Sequence, residues 1–450
     1  MASNRPGDSP ELVRTVDDEE PYVAEKPYII AEGGEGQGEG GGERYSLVVP
    51  GPRTDGGRGG KGIRGGRPDD PPSSEEVRSF DRVRLVLPHH DHDSVQGALD
   101  SGLDLVVSPG VYRLGKTLGV RHGGTVVLGL GMATLVAPQD GSPAIRVEGR
   151  TPGVRIAGLI LEASVQSSYP SAEGSEPESA LLIWGDDRDP TGAAAPYRPD
   201  PGDPRDPGVV SDVFCRVGGT AGDDGVDESR NASVGTMMIV RSGNVILDDV
   251  WLWRPDHLAS RVEEEVPTDP PTSEYYLVGT DDCSCRGGLR VTGDNVTAYG
   301  LSVEHVGGGD QVRWEGERGR VRFYQSELPY DVVAPPDGGD RGDKGNGGGE
   351  GEREGGYVSW SIHESVRTFD LKGGGVYSFF RDHDIVADTA FRYPVVQKDG
   401  RSGTTDVNLT NVFTRFLDGR GGIRHIINTQ GDAVNDTHRL SRVAEAFWRA

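Results

Sequence analysis

One strand-length pattern recurs along the chain, and it constrains the fold more than any other feature. NVILDDVWLWRPDH (Asn244 to His257), GDNVTAYGLSVEH (Gly293 to His305) and RVRFYQSELPYD (Arg320 to Asp331) align when Val245, Val296 and Val321 are set in register. Each then reads as a polar residue, Val, any residue, an apolar residue, two variable positions and an apolar/variable alternation. TVVLGLGMATL (Thr125 to Leu135), GVRIAGLILEA (Gly153 to Ala163) and DVNLTNVFTRF (Asp406 to Phe416) fit the same template. A unit this short cannot bury its apolar face alone, so successive units must stack on one another. Val296 and Val321 lie 25 positions apart, enough for one turn of three strands. The expected fold is all-β: a single-stranded right-handed parallel β-helix over residues 106–431, with long disordered insertions. Val126, Val154, Val245, Val296, Val321 and Val407 should form one inward column.

The remaining sequence divides around that solenoid. Residues 1–44 are acidic and end in EGGEGQGEGGGE, which cannot bury enough apolar surface to offset the entropy of ordering. Within and after this leader, Tyr28 to Ile30 and Tyr45 to Val49 could form a first pair of strands. Residues 45–105 hold these N-terminal strands, a Gly-rich loop and a capping helix, with Asp93 or Ser94 as its N-cap. Polar, Gly/Pro-rich and acidic composition marks insertions at 172–206, 263–272 and 334–356. SRVAEAFWRA closes the chain with helical periodicity, so residues 432–450 are expected to be a helical tail.

Composition excludes several partners. A formal net charge of −25 repels phosphate and uronate polymers, so neither nucleic acid nor a polyanionic glycan is an expected partner. No apolar run reaches the roughly 18 residues of a membrane span, and a monomer is expected. MASNRPGDSPELVRTVDDEE lacks the regions of a signal peptide, so the chain reads as soluble or as one with an incomplete N-terminus. Three cysteines, Cys215, Cys283 and Cys285, allow at most one bridge and lack zinc-like spacing. No metal site is expected. Asp248-Asp249, Asp281-Asp282 and Asp223-Asp224 leave Ca²⁺ open, but no D-x-D-x-D-G loop is present and solvated acidic turns are the plainer reading.

Alternation along the strands sorts residues by face. If Leu252, Val303 and Leu328 point inward, then Trp251, Trp253, Ser302, Glu304 and Glu327 point outward on one strip. Arg254, His305 and Tyr330 stand at its edge. Aromatic faces beside carboxylates suit a sugar chain, because a pyranose packs on the ring while carboxylates bind hydroxyls or perform acid/base work. Asp256, Glu304, Asp294 and Glu327 are the candidate catalytic carboxylates. Trp253, His257, His305, Trp314, Tyr324, Tyr330 and Asp331 are the candidate substrate-binding residues. Asp294 could equally cap a turn before its strand.

The phrases SPGVYRL, TVVLGLGMATL, GVRIAGLILEA, SDVFCRVGG, DDVWLWRPDH, NVTAYGLSVEH, RVRFYQSELPYD and HIINTQG resemble a family of secreted pectate-lyase-like β-helix proteins. Some of its members carry labels such as adenylyl cyclase or coagulation-factor-type protein, and nothing here resembles a cyclase site. The chain is more distantly similar to the mutanase/mycodextranase class of α-1,3-glucan hydrolases. That resemblance implies an extracellular protein and catalytic aspartates at Asp256 and at the pair Asp294 and Asn295, where the second aspartate is absent. The expected function is therefore hydrolysis of a neutral polysaccharide such as an α-1,3-glucan. A non-catalytic glycan-binding or wall-associated solenoid is the main alternative, consistent with Asn295. A polysaccharide lyase ranks below both, because Arg254 is the only basic residue well placed on the strip.

Overall fold

The computed structural model describes residues 24–32, 44–52, 75–165, 179–186, 200–218, 230–257, 277–332, 357–393 and 406–449. The repeats form parallel coils, each presenting three short strands on three faces. Asp104–Val107, Gly208–Ser211 and Val245–Asp248 lie on the first face, and Val111–Arg113, Phe214–Arg216 and Trp251–Trp253 on the second. Leu118–Val120, Ile145–Val147, Ala180–Trp184, Ser233–Val240, Val312–Trp314 and Trp360–Ile362 belong to the third. Longer strands such as Arg155–Glu162, Thr297–Glu304 and Gly319–Glu327 run from the first face into the second without a break in pairing.

The bend between those two faces is made by backbone conformation. Gly158, Asp212, Asp249, Gly300, Phe323, Gly373 and Asn411 stack in successive coils, all in the left-handed region with φ between 51° and 77°. Gly, Asp and Asn are the residues that tolerate this conformation. Phe323 is the bulky exception.

The interior is a continuous stack of aliphatic and aromatic side chains. Val154, Val245, Val296 and Val407 occupy one inward column of the first face, with Phe369 between the last two. Val321 and Val126 depart from the expected column. Val321 is buried, but it pairs with Ala298 and Leu371 and so lies two residues along. The position above Val296 is Gly319, where a Cβ would come within 2.5 Å of the Trp314 indole. Gly208, beside Val245, likewise makes room for Trp184. Indoles from the third face thus fill the space that valines fill elsewhere. Val126 points the other way and packs under Leu47 and Val49 of the N-terminal strands.

Those strands, Tyr28–Glu32, Arg44–Pro50 and Glu75–Ser79, form an antiparallel sheet as the apolar runs suggested. Helix His92–Asp100 buries Val95 and Leu99 against the first coil, and its N-cap is Asp91, which accepts from the Ser94 N–H at 2.8 Å, in place of Asp93 or Ser94. Parallel pairing starts earlier than residue 106, at Val83–Val86. The span 172–206 is not wholly an excursion, since it contains the buried core strand Ala180–Trp184. Residues 1–23, 53–74, 172–178, 187–199, 263–272 and 334–356 lie outside the described residues. The C-terminal segment is a strand, Leu440–Arg449, running antiparallel to the last coil. Pairing with an exposed sheet edge has overridden the helical preference of AEAF.

Candidate active site

The second face carries the outward strip. Phe214, Trp251, Ser302 and Gln325 stack in one column, and Arg216, Trp253, Glu304, Glu327 and Tyr377 in the adjacent one. Stacked coils are separated by about 4.8 Å, so residues from four or five repeats share one surface. The two indoles lie 5.8 Å apart, Phe214 meets Trp251 edge-on at 5.4 Å, and Trp251 is 37% exposed. This is an aromatic platform open to solvent, bordered by carboxylates.

Glu304 and Glu327 sit side by side on neighbouring strands. Glu304 is the deeper one, and burial raises its carboxyl above the ordinary range against the pull of His305, a hydrogen bond from Gln325 and the Trp251 indole N–H, 3.0 Å away. The charge of Glu327 pushes the same way as burial. Glu327 is more open, and its carboxyl is lowered by the His305 imidazole and then by the hydrogen bond from the Tyr330 hydroxyl, with burial opposing both. Two adjacent carboxylates of identical chemistry are therefore pushed apart in acidity, the condition under which one can give a proton while the other takes one.

Asp256 belongs to the same patch. It ends the Trp251–Trp253 segment, where Nδ1 of His257 lies 2.9 Å from its carboxylate and the His257 ring meets Trp253 at 6.1 Å. The Tyr330 phenol is raised by burial first, then by its bond to Glu327 and by the negative charges of Glu327, Asp256 and Glu304. Glu327 bonds this hydroxyl directly, and the charges of Asp256 and Glu304 act on it from nearby. Phe379 packs on Tyr330 at 4.8 Å. Arg381, held by Asp382, also senses the charge of Asp256.

Beneath this patch Arg254 and Asp331 make a buried bidentate pair, at 2.9 and 2.8 Å. The remaining guanidinium donors go to the carbonyls of Gly279, Asp282, Cys283 and His305. Arg254 is not an edge residue and is unavailable as a lyase base, and Asp331 is a structural partner with no path to a ligand. Trp314 and Tyr324 are also corrected: both are core residues, with Trp314 stacked on Trp360 and Tyr324 edge-on to Trp360. Asp294 lies at the far end of the Glu304 strand, where it accepts from the Glu317 N–H at 2.9 Å and from Arg318 at 3.1 Å. It is the turn cap. Asn295 beside it has φ 56°, a turn conformation that Asn adopts readily.

Gln325, Tyr377, Phe379 and Arg381 escaped the sequence reading. Gln325 was findable, standing two positions before Glu327 in the same alternation. Among the described residues no group of three or more His, Cys, Asp or Glu side chains is placed to hold a metal ion, and all three cysteines are buried and unbridged. A cavity of about 330 Å³ opens on the third face between Arg286, Arg290 and Arg313. It has no aromatic lining and lies apart from the aromatic platform of the second face.

Parallel coils of three short strands, stacked over one continuous core, are the architecture of the pectate-lyase-like β-helix class. Residues 83–327 match the LAM55 pectate lyase-like domain, and the chain belongs to that family. It is 30% identical over 436 residues to an exo-beta-1,3-glucanase of Streptomyces sp. (strain SirexAA-E / ActE), covering 96% of this chain and 58% of that protein. Among solved structures it resembles a variant of sacteLam55A from Streptomyces sp. SirexAA-E in complex with glucose, with a TM-score of 0.70 and 29% identity, over 95% of this chain and 62% of the other. A second structure of sacteLam55A matches with a TM-score of 0.70 and 28% identity, over 99% and 66%. The chain therefore spans less than two thirds of each of these relatives.

Proposed function

We propose that this chain is a glycoside hydrolase acting on a neutral β-1,3-glucan. The observation that carries the reading is the adjacency of Glu304 and Glu327 beside the Trp251 and Trp253 platform. Hydrolysis of a glycosidic bond needs one carboxyl to protonate the leaving oxygen and another to activate water or attack the anomeric carbon. Glu327, the more open member and the one that the His305 imidazole faces at 3.5 Å, is the acid, and Glu304 is the base. Asp256 lines the rim next to Trp253 and binds hydroxyls. Likeness to an exo-beta-1,3-glucanase favours the β-1,3 linkage over the α-1,3 linkage implied by the more distant resemblance. Asn295, which motivated a non-catalytic reading, is accounted for as a turn residue.

The test is sugar release by the purified chain from linear β-1,3-glucan, α-1,3-glucan and polygalacturonate. Activity on the first alone is expected, with Glu327→Gln and Glu304→Gln each losing on the order of 10² to 10⁴-fold at unchanged circular dichroism. Retention on β-1,3-glucan without release would make the chain a binding module. Equal release from the α-1,3 polymer would overturn the linkage.

A further inference from the structure

The tautomer of His305 is fixed by its surroundings. Its Nδ1 lies 3.0 Å from the backbone carbonyl of Arg254, which can only accept, so Nδ1 carries a proton. The other nitrogen, Nε2, faces Oε2 of Glu327 at 3.5 Å and is buried with no hydrogen-bond partner. A neutral imidazole would therefore turn a bare lone pair toward a carboxylate. That arrangement is unfavourable in a buried site, where an unpaired acceptor has lost its water and gained no donor. One extra proton held between Nε2 and Oε2 removes the conflict.

Local structure holds the ring in this position. His305 has φ 61°, a left-handed conformation unusual for a residue with a side chain, and its N–H donates to the Glu327 carbonyl at 2.9 Å. The turn swings the imidazole under the strip immediately after Glu304 has pointed outward. Such strain persists only where the surroundings enforce it, and it concentrates at functional sites. The charged groups around the ring are few. Arg254 and Asp331 neutralise each other beneath it. Glu304 and Glu327 lie on the groove side, and the Tyr330 ring covers it at 4.4 Å. Asp256 and Arg381 stand beyond Tyr330. The unneutralised charges that face the ring are carboxylates.

We propose that His305 is a positioning residue that stores the proton Glu327 delivers, so that the acid of the reaction is a His305–Glu327 dyad. This rests on the hydrolase reading above. As the glycosidic C–O bond breaks, its electron pair stays on the leaving oxygen. The single proton held at Nε2 passes to Oε2 of Glu327 and from that carboxyl to the leaving oxygen, which leaves a neutral imidazole and an ionised Glu327. Water adds to the anomeric carbon and gives its proton to Glu304, and solvent then returns a proton to Nε2 and removes one from Glu304. Atoms and charge balance over the cycle.

Two measurements test this on the full chain. In histidine ¹⁵N NMR, His305 should keep Nδ1 protonated throughout and gain the Nε2 proton as pH falls, and Glu327→Gln should move that titration down by about one pH unit, the cost of losing an adjacent opposite charge. In the rate profile on β-1,3-glucan, His305→Gln should shift the alkaline limb of kcat/KM acidward by at least about one unit, because a carboxylate alone titrates near 4.3 and an imidazole near 6.5. A merely structural His305 would lower kcat and leave the limb in place, and that result would overturn the proposal. So would an Nδ1 found deprotonated at neutral pH. If His305→Gln fails to fold, the NMR comparison with Glu327→Gln decides alone. If the chain releases no sugar, the hydrolase reading fails while the NMR still judges the dyad.

Discussion

Trp251 donates its indole N–H to the carboxylate of Glu304 at 3.0 Å, although 53 positions separate the two in the chain. The bond exists because parallel coils set Trp251 opposite Ser302 and Trp253 opposite Glu304. It ties the aromatic platform to Glu304, so an indole on the open strip also bears on the acidity of a carboxyl.

Trp251→Phe keeps the ring and removes the donor. A hydrogen bond to the ionised form lowers a carboxyl's pKa, so its loss raises Glu304 further. The acidic limb of the pH–rate profile should move to higher pH by roughly 0.5 to 1 unit, equivalent to about 1 kcal/mol. An unmoved limb would remove Glu304 from the base role.

Glu304→Gln should leave the fold as stable as the wild type or more so at neutral and alkaline pH. The raised carboxyl means the native state holds its proton more tightly than the unfolded chain. Its stabilising contribution is complete below the ordinary carboxylate range and is lost as pH rises through the folded value. Thermal unfolding across pH should show the variant's advantage growing upward from that range and vanishing in acid. A variant less stable at every pH would contradict this.

Arg254→Met leaves Asp331 charged and unpaired under the site. Removing one partner of a buried pair costs about 3 to 5 kcal/mol, and denaturant unfolding should register most of it. Adding Asp331→Leu should recover a large part, because two apolar residues need no partner.

Trp314→Ala and Trp253→Ala separate core from platform. Trp314 is fully buried against Trp360 and Phe369, so its loss should cost about 3 to 5 kcal/mol with no specific effect on glucan retention. Trp253→Ala should weaken retention on β-1,3-glucan at nearly unchanged melting temperature.

Phe323 is exposed and held at φ 60°, where a bulky side chain is strained. Phe323→Asn should stabilise by roughly 0.5 to 1 kcal/mol. Gly373→Ala, one coil on at φ 77°, should destabilise by a similar amount.

The alternation rule read the strip well because it depends only on strand geometry: Trp251, Trp253, Ser302, Glu304 and Glu327 all point where period two sends them. It failed at Val321, and the reason is local. Trp314 fills the inward site that a valine holds in other coils, leaving Gly319 there and making Val321 look like its substitute. Tyr324, a candidate binding residue, pairs with the inward Leu301 and packs in the core. The Arg254–Asp331 pair was illegible because 77 positions separate its members. Residues that meet only through stacking carry no mark of each other in the sequence.

The left-handed stack from Gly158 to Asn411 has a further consequence. Because the same backbone bend recurs through these seven successive coils, the angle between the first two faces there does not depend on which side chains line them. The distance between carboxylates on neighbouring coils is then a property of the peptide repeat, insulated from drift elsewhere in the sequence. Such a scaffold changes its reach along a polymer in whole units, by gaining or losing a coil, while the chemistry on each rung keeps its spacing.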